Sequence, residues 1–121
     1  MSGFEVFRKD NQDVSVLFLK GYLDAHTYPN FEAELQKLVD EKRYKIIVDF
    51  NDLSYISSAG LGVFMGFIET VRDNSGDIKL CSMSSKVFKV FDLLGFPTIY
   101  QILKDSEEAH NKFKDTGSVS G

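Results

Sequence analysis

Residues 44–50, YKIIVDF, constrain the fold more than any other segment. The run is apolar and β-branched, so both faces of the strand it forms must be covered, as in a parallel sheet. Parallel neighbours need crossovers, and amphipathic segments stand on both sides of the run. Before it, Tyr28, Phe31, Leu35, Leu38 and Val39 fall at helical spacing, with Asn30, Glu32, Glu34, Gln36 and Lys37 between them. Thr27 suits the N-cap of that helix, and Pro29 its first turn, where a missing N–H costs nothing. After the run, Asn51 to Ser57 reads as a polar connection carrying Leu53 and Ile56, and a second helix begins at Ser58 and stops near Asn74-Ser75-Gly76.

The remaining elements complete an alternating order. FEVFR (4–8) and VSVLFLK (14–20) read as a hairpin turning over Lys9 to Asp13, with Gly21 punctuating its end. Ile78 to Ser82 is a short strand. Val87, Val90, Phe91 and Leu94 mark a third helix closed by Gly95 and Pro97, and Ile99 to Leu103 is a last strand. Ser106 to Phe113 reads as a weak fourth helix, and the end, 115–121, as a disordered tail with little to pack. Strand, helix, strand, helix, strand, helix, strand after a hairpin predicts one α/β domain over 1–121, its core at about 4–105, with a largely parallel sheet.

Composition narrows the classes of function. The 121 residues carry a net charge of -4 and no basic cluster, which argues against nucleic acid and against an anionic membrane. The most apolar stretch, Ala59 to Ile68, is shorter than the roughly 20 residues a spanning helix needs. The start, MSGFEVFRKD, has no signal-like apolar run, and Cys81 is the single cysteine, so a soluble cytoplasmic protein is expected.

The informative segment is the second helix. Gly60, Gly62 and Gly66 fall in its first turns, each costing about 1 kcal/mol of helix stability relative to Ala. Close packing on the sheet accounts for part of this pattern. Small residues after a hydroxyl also make a flat helix start that another protein can approach. On local sequence alone Ser58 is an ordinary N-cap. A helix N-terminus also accommodates phosphate, because its N–H groups are unpaired and carry positive partial charge.

DLSYISSAGLGVFMG, residues 52–66, resembles the signature of STAS domains, the domains of sulfate transporters and anti-sigma-factor antagonists. In the antagonists the matching text runs aspartate, serine, serine or threonine, glycine, leucine, glycine, and its first serine accepts phosphate. Here Ser57 stands at the aspartate, Ser58 at the acceptor, Ala59 at the next small residue and Gly60-Leu61-Gly62 at the glycine pair. Gly21-Tyr22-Leu23-Asp24 is similar to the family's glycine, glutamate, leucine, aspartate turn, with Tyr22 in place of glutamate, and Phe91 to Gly95 resembles its third-helix ending.

The resemblance implies a STAS-type mixed, mostly parallel sheet with helices mainly on one face. It implies phosphorylation at Ser58, or less favourably Ser57, and a docking surface of Asp24, Ser57, Ser58, Ala59, Gly60, Leu61 and Gly62. The partners it implies are an anti-sigma factor that is also a serine kinase and a PP2C-type phosphatase, with no catalysis, cofactor or metal in this chain. A STAS adaptor or scaffold that is never phosphorylated, in a lipid-transport or stressosome-like assembly, stays open as the alternative.

Other chemistries fit poorly. A hydrolase elbow needs glycine two residues before its serine, where Ile56 stands, and a base, for which only His26 and His110 are present. The spacing of Gly60, Gly62 and Gly66 misses the dinucleotide pattern by one residue, and no P-loop follows. Asp49 and Asp52 suggest a phospho-accepting response regulator, but the first parallel strand ends Leu19-Lys20-Gly21 without the acidic pair such a site requires.

Overall fold

The computed structural model describes residues 3–120, with side chains to Lys114. The hairpin is β1 (Phe4–Asn11) and β2 (Val14–Leu23). Then come α1 (Tyr28–Asp40), β3 (Lys45–Ile56), α2 (Ser58–Asp73), β4 (Asp77–Cys81) and α3 (Ser85–Leu93). A 3-10 turn at Phe96–Thr98 leads into β5 (Ile102–Leu103), and α4 (Ser106–Ser120) closes the chain. The side chains of 115–121, where the sequence suggests a tail, lie outside the described residues.

The strands stand in the order β1-β2-β3-β4-β5, with β1 antiparallel to β2 and every later pair parallel. Each parallel step moves one place in the same direction. Right-handed crossovers therefore put α1, α2 and α3 on one face of the sheet. That face holds the main core, where Phe31, Phe50, Phe64 and Phe91 are fully buried. Their rings meet at 5.0 Å (Phe31–Phe64) and edge-on at 5.4 Å (Phe50–Phe91). α4 covers part of the other face, setting Ala109 and Phe113 on Val14, Val16, Ile47 and Cys81. Lys79 is buried there, bonded to Asp77 at 3.1 Å and Gln101 at 2.6 Å, with its ammonium 4.7 Å from the centre of the Phe113 ring.

β3 is longer than its sequence suggests. Its pairing with β2 steps from Phe18↔Asp49 to Lys20↔Asp52, and again from Gly21↔Leu53 to Tyr22↔Tyr55, so β3 carries an extra residue at two places. The inward residues Phe50, Leu53 and Ile56 are then three apart, not two, which gives this half of the strand the look of a loop. β2 likewise runs through Gly21, which sits at φ 95 where a Cβ would lie 1.8 Å from the Gly3 carbonyl oxygen. Thr27 starts α1 without capping it by its side chain. Its hydroxyl instead donates to the Tyr22 carbonyl at 2.8 Å and accepts from the Asp24 amide at 2.9 Å, closing the turn between β2 and α1.

One core group is stranded. The Tyr100 hydroxyl is buried with no hydrogen-bond partner among the described residues, and burial pushes its pKa well above the usual phenol value. An unsatisfied buried hydroxyl costs about 1–3 kcal/mol, so Tyr100→Phe is expected to raise unfolding stability by roughly 1 kcal/mol. Urea denaturation checks this, and a clear loss of stability would mean that the hydroxyl is bonded after all.

Candidate functional site

The C-terminal ends of β2 and β3 lie side by side, Leu23 opposite Ile56 in register. The chain leaves β3 through Ser57, whose amide donates to the Leu23 carbonyl at 2.9 Å. This bond ties the start of α2 to the turn that carries Asp24. The two sequence segments singled out above, 21–24 and 57–62, therefore meet at one edge of the molecule.

Ser57, not Ser58, is the N-cap of α2. Its backbone is extended (φ -103, ψ 173), its side-chain oxygen accepts from the Gly60 amide at 3.5 Å, and its carbonyl accepts the first helical bond, from Leu61, at 3.0 Å. This assignment explains how serine can stand where the family has aspartate, since both are preferred caps. It also frees Ser58 from the capping role. Ser58 is the first helical residue and is exposed, at the positive end of the helix.

The glycines divide by direction. A Cβ on Gly60 would meet Leu23 Cγ at 2.9 Å, and both Ile56 Cγ1 and the Leu23 carbonyl oxygen at 3.1 Å, so this glycine lets α2 lie close on the sheet. Gly60 thus serves packing and does not flatten the outer face. Leu61 is likewise inward, only 3% exposed, and Ala59 is half-buried. Around a Cβ on Gly62 or Gly66 there is nothing within 4 Å. Ser58, Gly62, Met65 and Gly66 make the outer stripe of α2, and Met65, at 46% exposed, is a stripe member that its apolar sequence context hid.

Asp24 is half-buried and holds its own turn. Its Oδ1 accepts from the His26 amide at 2.9 Å and the Thr27 amide at 3.2 Å, and these bonds hold the carboxyl below its ordinary pKa. Tyr22, where the family has glutamate, is exposed and stands opposite Tyr55, ring centres 6.3 Å apart. Sequence reading missed Tyr55, because the second irregularity in β3 was needed to turn it outward. Among the described residues, no three His, Cys, Asp or Glu side chains gather as a metal site, and no helix is long and apolar enough to cross a membrane.

The five-stranded mixed sheet with its helices is the fold of the anti-sigma factor antagonists among solved structures, and the STAS domain model matches residues 8–109. The chain belongs to the STAS domain family. Among curated proteins it is similar to the anti-sigma-B factor antagonist of Bacillus subtilis, 30% identical over 82% of this chain and 90% of that one. Among solved structures it matches an anti-sigma factor antagonist from Mycobacterium paratuberculosis with a TM-score of 0.83 at 17% identity, covering 90% of this chain and 92% of that one. The anti-sigma factor antagonist SpoIIAA matches in its unphosphorylated form with a TM-score of 0.69 at 24% identity, covering 92% and 97% of the two chains. Its phosphorylated form matches with a TM-score of 0.70 at 24% identity, covering 91% and 98%.

Proposed function

We propose that this protein is an anti-sigma factor antagonist that works by partner switching. Unphosphorylated, it docks an anti-sigma factor that is also a serine kinase, and a sigma factor is released. Phosphorylation of Ser58 reverses the docking, and a PP2C-type phosphatase restores it. The protein supplies a hydroxyl and a surface, acts in the cytoplasm, and catalyses nothing itself. The docking surface comprises Asp24, Ser57, Ser58, Ala59 and Gly62, with Gly60 and Leu61 beneath it seating the helix.

The observation that carries this reading is the division of labour between the two serines. Ser57 caps α2, so Ser58 presents an exposed hydroxyl at the helix start, in register with the family's acceptor. The amides of the first turn and the helix dipole favour a phosphate there. The name of the Bacillus subtilis relative, an anti-sigma-B factor antagonist, supports the role.

Incubation with the cognate kinase and ATP is expected to add one phosphate by intact mass. Ser58→Ala is expected to abolish it. Ser57→Asp, which keeps a good cap and adds a favourable charge, should leave phosphorylation and melting intact. A phosphate mapped to Ser57 by digestion would reassign the acceptor. If no kinase in the native lysate modifies either serine, the scaffold reading replaces the switch.

A further inference from the structure

A second exposed surface lies along β1, at the far edge of the sheet from α3. β5 is only two residues long, whereas β1 is eight residues long and, among the described residues, pairs with β2 as its one strand neighbour. Open edges of this length invite another strand. The backbone direction of this edge is fixed by its pairing. The Gly3 carbonyl accepts from the Tyr22 amide at 2.6 Å, and the β1–β2 register then advances without a shift from Phe4↔Gly21 to Asn11↔Val14. Glu5, Phe7 and Lys9 therefore direct their N–H and C=O groups toward β2, while those of Val6 and Arg8 point outward along the edge.

The side chains have a palindromic order. Glu5, Phe7 and Lys9 alternate along the strand on the face away from α1, all three exposed, and Phe7 is 54% exposed beside its cross-strand neighbour Phe18. On the opposite face Arg8 is already occupied, binding Asp10 at 2.9 Å and Glu41 at 2.6 Å. It is the Glu5-Phe7-Lys9 face that is left to read a partner.

We propose that β1 pairs antiparallel with β1 of a second copy of this chain, about a two-fold axis at Phe7. In that register Val6 and Arg8 exchange their outward backbone bonds with Arg8 and Val6 of the second copy. Phe7 meets Phe7, and Glu5 meets Lys9 on both sides of the axis. Phe7–Phe7 and Glu5–Lys9 are then the non-hydrogen-bonded pairs, whose side chains approach most closely. A slip by two residues in either direction sets Phe7 against a charged residue and breaks both ion pairs. The sequence thus specifies one register of an isologous contact, in which each patch complements itself. It joins two five-stranded sheets into one and leaves the starts of both α2 helices open. The pairing does not depend on the partner-switching reading.

One strand pair buries less than a standard interface, so the dimer is weak. Sedimentation equilibrium from about 10 μM to about 1 mM is expected to show a shift toward twice the 13.7 kDa chain mass. Lys9→Glu places Glu opposite Glu5, and Glu5→Lys places Lys opposite Lys9. Each is expected to weaken the dimer about tenfold or more. The doubly reversed chain, Glu5→Lys with Lys9→Glu, should regain it. An equimolar mixture of the two single variants should also associate, because every cross-pair in the mixed dimer is then complementary. Thermal melting of each variant separates loss of pairing from loss of folding. A chain that stays monomeric to 1 mM overturns the proposal, as does a dimer that ignores the reversals or a well-folded mixture that fails to associate.

Discussion

Phosphate on Ser58 is expected to lower affinity for the ADP-loaded kinase by at least about 100-fold, which corresponds to roughly 2.7 kcal/mol. Within the protein the added charge, about -1.5 to -2 at neutral pH, falls on an exposed residue at the positive end of α2 and is tolerated. The penalty falls on the complex. To be phosphorylated, Ser58 must come within reach of the kinase's nucleotide, where phosphates already lie. A doubly charged group enclosed there meets like charges and loses water, which can cost several kcal/mol. Ser58→Asp should reproduce the effect only in part, because a carboxylate carries less charge and fewer acceptor oxygens. Titration calorimetry of both forms measures the difference, with melting curves expected to coincide. Equal affinities would sink the release mechanism even with Ser58 proven as the acceptor.

The second large effect separates Gly60 from Gly62, two residues apart on one helix. Leucine at Gly62 enters open space, so Gly62→Leu is expected to gain about 0.5–1 kcal/mol of stability from helix propensity. The same side chain stands up from the stripe between Ser58 and Met65 and should reduce kinase binding at least about tenfold, by blocking close approach. Gly60→Leu does the opposite. Its Cβ alone crowds Leu23 and Ile56, and the expected loss of stability is about 2–3 kcal/mol. Denaturation and calorimetry on both variants give a crossed pattern. If Gly62→Leu binds like the parent, the outer stripe of α2 is not the docking face.

The order of elements was legible because the apolar periods are strong: YKIIVDF as a doubly covered strand, and Phe31, Leu35 and Leu38 as a helix face. The hairpin and the largely parallel sheet followed from the same pattern, whereas the strand order β1-β2-β3-β4-β5 came only with the structure. What escaped reading depends on three-dimensional contact. Nothing in the string SSAGLG says which serine caps, because capping is set by where the extended backbone of β3 ends. The inward turn of Gly60 could not be read either, since its neighbours Leu23 and Ile56 lie on two different strands. Thr27 looked like a cap and became the clasp of the β2–α1 turn, because the Tyr22 carbonyl and the Asp24 amide were closer partners. The half of β3 beyond Phe50 was hidden by spacing its inward residues at three.

That spacing makes the stretch from Asp49 to Ser58 a ruler whose length matters more than its spelling. Asn51, Asp52, Ser54 and Tyr55 are all exposed and open to replacement by many side chains. Removing any one of them is another matter. A strand inverts its faces with every single-residue frame change. A deletion at Ser54 would draw Ile56 out of the core or pull the Ser57 amide away from the Leu23 carbonyl. The helix start would then arrive one position early and face another way. The stretch can therefore vary in what it displays at Asn51, Asp52, Ser54 and Tyr55, while the count itself is held fixed by the buried Phe50, Leu53 and Ile56 and by the geometry at both ends.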